Sequence, residues 1–268
     1  MQVIGLCRFS YPAIGGFQVE QETIEERIAY LYAEARMEER FRLLETVALP
    51  CLREQTDQDF DLIMVIGDSL PQVHRDRLQD LIADIPQIQL HAEPPRKHRE
   101  VMKYLLNGAR RQPGQPCLQF RFDDDDAVAT EFVERLRDTA RDCAKLFAKS
   151  ASAAIDFNRG YVAEFGPDGI SAAPTVRPYF TAALGMHVAA GSRKTIMNFA
   201  HHRIHHHMPS VTLTDVPMWV RSHNRFNDSR QDGAAAVDVA PLTRKQELEF
   251  ATVFGLRAAK VRAAFKPR

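Results

Sequence analysis

Four consecutive aspartates, Asp123 to Asp126, stand between an apolar run, Cys117-Leu-Gln-Phe-Arg-Phe, and a helix-favouring run from Ala127. Packing gains nothing from them. Aspartate disfavours strands, and adjacent like charges repel unless a cation or hydrogen-bond donors neutralise them. On an extended backbone Asp123 and Asp125 would share one face, and Asp124 and Asp126 the other. Two carboxylates on one face suit a hard, oxygen-seeking divalent ion that keeps waters and phosphates as its remaining ligands. Acid also serves to cap helices, and Asp126 is expected to cap the helix that follows. The run as a whole predicts a metal and diphosphate site at the carboxyl end of a core strand.

A second concentration of chemistry is His201-His-Arg-Ile-His-His-His. On an α-helix His201 with His205, and His202 with His206, would be i, i+4 pairs that zinc can bridge. No H-E-x-x-H pattern or nearby cysteine supports zinc, so a partly exposed polar segment is the preferred reading. The four cysteines, Cys7, Cys51, Cys117 and Cys143, are scattered among apolar neighbours and form no C-x-x-C pair. They predict buried free thiols.

The elements that must position these residues follow from periodicity. Val3 to Leu6 predict a short buried strand, followed by the loop Arg8-Phe-Ser-Tyr-Pro. A charged helical region spans about Thr23 to Glu54, with a break or turn expected at Pro50. Phe60 to Asp68 is a continuous apolar run ending in Gly67-Asp68, the pattern of a strand buried on both faces. A helix over Val73 to Ile82, a strand over Ile88 to His91, a helix over Glu100 to Arg111, the strand Cys117 to Phe122 and an amphipathic helix over Thr130 to Phe147 complete the first half. Such alternation predicts a mainly parallel α/β sheet, which binds ligands at the carboxyl ends of its strands. The loop after Leu6, Gly67-Asp68 and the aspartate run all fall there.

The second half is richer in glycine, proline and aromatics, with strands or turns expected over Ala153 to Phe165 and Pro178 to Val188. Asp232 to Ala240 predicts a loop, and Leu242 to Phe265 a helix that is basic after Arg257. The organisation expected is a first half over 1–150 that carries the aspartate site, a second half of the same domain over 151–230, and a linker with C-terminal helix over 231–268. Apolar and charged fractions of 45% and 26% belong to a soluble globular chain. Lys plus Arg and Asp plus Glu both total 35, so no global field draws nucleic acid. The first residues lack the basic lead and apolar stretch of a signal peptide, and no segment reaches about 20 apolar residues. A cytoplasmic location is expected, at most peripheral on a membrane.

An apolar strand running into Phe122-Asp-Asp-Asp-Asp-Ala resembles the D-x-D region of GT-A glycosyltransferases. Gly5-Leu-Cys-Arg-Phe-Ser-Tyr, Gln55-Thr-Asp-Gln-Asp-Phe, Ile66-Gly-Asp-Ser-Leu-Pro and Asn227-Asp-Ser-Arg are similar to one branch, the bacterial putative rhamnosyltransferases. The resemblance implies a GT-A-like fold: a mainly parallel central sheet flanked by helices, an acceptor-side second half and a C-terminal helix. It implies a metal-dependent enzyme moving a sugar, rhamnose being one candidate, from a nucleoside diphosphate to a saccharide or lipid-linked acceptor. Asp123 would contact the ribose, Asp125 would bind Mn²⁺ or Mg²⁺, and Asp124 is grouped with the nucleotide-binding residues. Asp68 would hold the nucleoside, while Arg8 and Tyr11 would touch nucleobase or phosphate. His223 is the candidate second metal ligand, with Arg221 and Arg225 steadying phosphates. An inverting transfer needs a general base, for which Asp215 leads and Asp156 follows.

Two rivals share these features. A sugar-1-phosphate nucleotidyltransferase would want a glycine-rich basic loop directly after the first strand, which Leu6-Cys-Arg-Phe-Ser-Tyr does not supply. A non-catalytic nucleotide- or sugar-binding module would keep the fold without turnover. The C-terminal helix offers Phe250, Val253, Phe254, Leu256 and Val261 either to the protein's own core or, with its basic flank, to an anionic membrane.

Overall fold

The computed structural model describes residues 1–15, 21–224 and 237–266. Its first half alternates as the periodicity predicts: β1 (Gln2–Arg8), α1 (Ile24–Leu31), α2 (Glu34–Leu43), α3 (Leu49–Arg53), β2 (Asp61–Gly67), α4 (Gln72–Ile82), β3 (Ile88–Glu93), α5 (His98–Gly108) and β4 (Cys117–Asp123). Then come β5 (Ala127–Val128), α6 (Phe132–Asp142), α7 (Ala144–Phe147), β6 (Ser152–Phe157), β7 (Arg159–Gly166), β8 (Gly169–Val176) and β9 (Leu184–Val188). The chain closes with β10 (Ser210–Leu213), β11 (Trp219–Ser222), β12 (Ala240–Pro241), α8 (Arg244–Phe254) and α9 (Ala258–Phe265).

A seven-stranded sheet has the order β10-β6-β9-β4-β1-β2-β3. The strands β4, β1, β2 and β3 run parallel, and β9 is antiparallel to both β4 and β6. The carboxyl ends of β6 and β4 therefore lie on the same edge. This is the mostly parallel, helix-flanked α/β architecture expected. A second sheet of five strands, in the order β12-β8-β7-β11-β5, packs beside it. Of its strands, β7 lies in a run where strands or turns were expected, whereas β5, β8, β11 and β12 had no counterpart in the expected elements.

The two faces of the large sheet carry separate apolar clusters. Val3, Cys7, Phe120 and Phe122 face the cluster that contains α6 and the C-terminal helices. Ile4, Leu6, Leu184 and Met186 face the one that contains Met102 and Leu105 of α5 and Ile204. Every residue of β2 is buried, as a strand covered on both faces must be. The four cysteines are free, three of them buried and Cys143 partly so. Phe250, Phe254, Leu256 and Val261 are fully buried, so the apolar stripe of the C-terminal helices faces the protein's own core.

Three expectations change. Pro50 breaks nothing: a π-helical turn, Leu44–Ala48, precedes it and Pro50 stands in the first turn of α3, where its missing N–H is no loss. The C-terminal helix is two helices, because Gly255 turns the chain at φ +69°. Asp126 caps no helix, since α6 starts six residues later at Phe132.

Candidate functional site

Asp123 ends β4, and the next three aspartates are not extended. Asp126 N–H donates to the Asp123 carbonyl at 3.2 Å, closing a four-residue turn. The chain then enters β5, so the aspartate run is the crossing from the large sheet to the small one. The turn replaces the alternating arrangement expected of a strand. It gathers carboxylate oxygens of Asp123, Asp125 and Asp126 within 4.8 Å of one another.

Two arginines from distant parts of the chain hold this turn. Arg40, buried on α2, ion-pairs with Asp124, and its Nη1 donates to Asp125 Oδ2 at 3.0 Å. From β11, Arg221 Nη1 donates to Asp123 Oδ2 at 2.7 Å and to Asp126 Oδ2 at 2.8 Å. The Ser222 N–H donates to Asp126 Oδ1 at 3.0 Å, and Asn224 Nδ2 to Asp125 Oδ2 at 2.9 Å. Burial first, and the neighbouring Asp125 and Asp123 charges next, push the Asp126 carboxyl up to about 8 even against Arg221. Burial opposes the Asp123 charge as well, but Arg221 and Arg121 hold it well below the usual carboxylate range. A cluster of converging all-oxygen donors fits a hard divalent cation. Asp123, Asp125 and Asp126 are the residues that would hold it.

Residues 2–236 match a family described as putative rhamnosyl transferase. The chain belongs to that family. No curated protein is significantly similar to it. Among solved structures it is similar to S. aureus TarS 1–349 in complex with UDP-GlcNAc, with TM-score 0.46 and 11% identity over 88% of this chain and 62% of that one. The same protein in complex with UDP gives TM-score 0.43 and 11% identity over 83% and 61%. A UDP-glucose pyrophosphorylase complexed with UDP-glucose gives TM-score 0.34 and 8% identity over 70% and 76%. The chain thus spans less than two thirds of these TarS chains.

Other expected site residues are placed unevenly around the aspartates. Arg8 ends β1 directly beside Asp123, its register partner on β4. Asp68 follows the last residue of β2 and is exposed, its N–H donating to the Glu93 carbonyl at 3.1 Å. Tyr11 corrects the expectation of a ligand contact: its ring is fully buried, its hydroxyl donates to the Pro94 carbonyl at 2.8 Å and accepts from the Arg96 N–H. It fastens the loop after β1 to the segment before α5. His223 follows β11, with its N–H on the Ala163 carbonyl at 2.8 Å; among the described residues the tight carboxylate cluster does not include it. Arg225 and Asn227 to Ser229 lie outside the described residues.

Asp215 is not brought to the aspartates. It precedes β11 at the end opposite Ser222, exposed and paired with Arg135 on α6 at 2.6 Å. That hydrogen bond holds its pKa below the usual carboxylate range, which weakens it as a base. Asp156 is brought there. It pairs with Leu184 of β9, whose neighbour Gly185 pairs with Phe120 of β4, so Asp156 lies level with Arg121 on the same face. Two strand spacings separate them, roughly 10 Å. Asp156 is fully buried and accepts from Tyr179 N–H at 2.9 Å and Thr212 Oγ1 at 3.2 Å. Burial pushes its carboxyl up to about 6 despite those donors.

The histidine segment closes this side of the edge. It is a 3-10 helix, His201–His206, whose three residues per turn undo the i, i+4 pairing that zinc would need. His201 Nδ1 instead bonds the Tyr179 carbonyl at 2.8 Å, and the His205 ring stacks on Tyr179 with centroids 4.4 Å apart. Ser10 and Tyr179 are the two non-glycine residues of positive φ among those described, and both border this edge. Backbone strain of this kind gathers at functional sites. Arg40, Arg221 and Tyr179 carried no signal of these roles in their local sequence, because each acts across a long stretch of chain.

Proposed function

We propose that this family member is a metal-dependent glycosyltransferase that moves a sugar from a nucleoside diphosphate to a saccharide or lipid-linked acceptor, on the cytoplasmic side of a membrane. The single observation carrying the reading is the turn of carboxylates, Asp123, Asp125 and Asp126, at the carboxyl edge of a mostly parallel sheet. A Mn²⁺ or Mg²⁺ ion held there would neutralise the charge that builds on the leaving diphosphate. Arg221 is the internal counterion of Asp123 and Asp126, and a cation held there would share those carboxylates with it. Rhamnose as the transferred sugar rests on the family description alone.

Asp156 replaces Asp215 as the general base of an inverting transfer. It shares an edge and a face with the aspartates and is ionised above pH of about 6, and Tyr179 and Thr212 fix the orientation of its carboxylate. The acceptor hydroxyl would give its proton to an Asp156 oxygen as its own oxygen attacks the anomeric carbon. Asp68, Arg8 and Asp124 keep the nucleotide-side roles implied by their places on the edge, Asp124 through its hold on Arg40.

UDP titrated into the protein with and without Mn²⁺ tests the reading by calorimetry. Asp125→Ala should abolish the Mn²⁺-dependent part of binding, and unchanged binding would sink the metal assignment. Hydrolysis of a nucleotide sugar with Mn²⁺, against a chelated control, separates an enzyme from a binding module.

A further inference from the structure

Arg121 has no evident task in packing. It stands on β4, between β1 and β9, where the facing residues of those strands, Leu6 and Leu184, are apolar and buried. Gln119, two residues earlier on the same face, is satisfied by the Ile196 N–H at 3.1 Å. Arg121 is only half-buried, and among the described residues it makes no hydrogen bond or ion pair. A guanidinium carries five donors, and one drawn into a protein face without a partner is costly.

The strand register gives it a companion. Arg8 pairs with Asp123, so Arg8 and Arg121 share a face and an edge, one strand and two residues apart. A third element closes over them. The start of α5 is tied to the loop after β1 by the His98 N–H on the Ile14 carbonyl at 3.1 Å, and Val101, Met102 and Leu105 pack on this same face. That places His98 and Arg99, at the electropositive end of an eleven-residue helix, beside the two arginines. The fields agree with the geometry. Burial first, then the charges of Arg8, Arg121 and Arg99, push the His98 ring down to about 3, so it stays neutral. Burial first lowers Arg121 itself, and Arg8, Arg99 and Arg221 add to that against the opposing charge of Asp123. Asp123 is already engaged by Arg221 at 2.7 Å. The chain as a whole is neutral, so this excess of positive charge is local.

We propose that Arg8, Arg99 and Arg121, with the first turn of α5, form a phosphate-binding site on the sheet face beside Asp123 that holds its ligand without a divalent ion. Guanidinium forks match phosphate oxygens two at a time, and a helix N-terminus adds backbone donors. Which phosphate occupies it rests on the glycosyltransferase reading: the donor's diphosphate, or a phosphate carried by the acceptor.

Inorganic pyrophosphate is the probe, titrated by calorimetry into the whole chain in EDTA. Saturable binding is expected, weakened at least about tenfold by Arg121→Gln and by Arg99→Gln, and unchanged by Arg141→Gln on the far side of α6. Arg99 is exposed, so its variant tests the site even if Arg121→Gln folds poorly. Pyrophosphate displaced by UDP assigns the donor diphosphate; pyrophosphate that binds beside UDP and Mn²⁺ and yields to glycerol 3-phosphate assigns an acceptor phosphate. No binding in EDTA, or equal binding by all variants, overturns the site. If Mn²⁺-dependent UDP binding persists in that case, the transfer reading stands without it.

Discussion

Asp156 and Asp126 show how burial sorts carboxylates that the sequence presents as equals. Both are raised by desolvation, yet Asp126 sits against two more aspartates and Asp156 against donors alone. A base with a folded pKa of about 6 is protonated below it and active above it. The rate constant kcat/KM should therefore fall as pH drops through about 6. Asp156→Asn should remove that limb along with roughly a hundredfold or more of the rate. A limb that survives the substitution would move the base elsewhere. At this scale the aspartate run was legible, because no packing argument accounts for four adjacent acids. Its partners were not: Arg40 lies 84 residues before Asp124 with no local signal, and Arg221, 98 after Asp123, was expected to steady phosphates rather than to pair with the aspartates. Tyr11 failed for the same reason in reverse, since its position in the loop gave no hint of the carbonyl it caps.

Elements were legible where one face is buried and obscure where tertiary contacts overrode local pattern. The strands of the parallel half and α4 fall within a residue or two of their apolar runs, whereas β8, with alternating exposure and a proline at Pro174, carries a weak apolar signal. The histidine segment, expected to be polar and partly exposed, winds as a 3-10 helix, with Ile204 buried and His205 drawn onto Tyr179. The junction of β7 with β11 gives the sharpest test of element packing. Gly160 pairs with Trp219, and a Cβ there would stand 2.2 Å from the indole and 2.4 Å from the Trp219 carbonyl oxygen. Gly160→Ala should destabilise the protein by about 1–3 kcal/mol or more, the cost of overpacking. Trp219 is the sole tryptophan and its Nε1 donates to the Phe157 carbonyl at 2.9 Å, so a red shift of its fluorescence should accompany the loss. An unchanged emission maximum with unchanged denaturation midpoint would contradict this packing.

At the scale of the molecule, the four aspartates are held in place by Arg40 of α2 and Arg221 of β11, and so by the helical layer and the small sheet together. A ligand that binds this assembled edge should stabilise the whole fold. At about 100 times its Kd the gain is about 2.7 kcal/mol, or roughly 5–10 °C in Tm for a domain of this size. UDP with Mn²⁺ should give such a rise and EDTA should cancel the part due to the metal; a Tm indifferent to both would argue against a nucleotide site. No helix described here is long and apolar enough to cross a membrane. The crossing at Asp123 to Ala127 has a further consequence for how the protein assembles. A cation can find three converging oxygens only after both sheets have docked, because the turn lies on the covalent bridge between them and its clamps come from either side. The paramagnetic signal of Mn²⁺ would then serve as a folding clock, appearing in step with sheet-to-sheet docking and later than the secondary structure of either sheet.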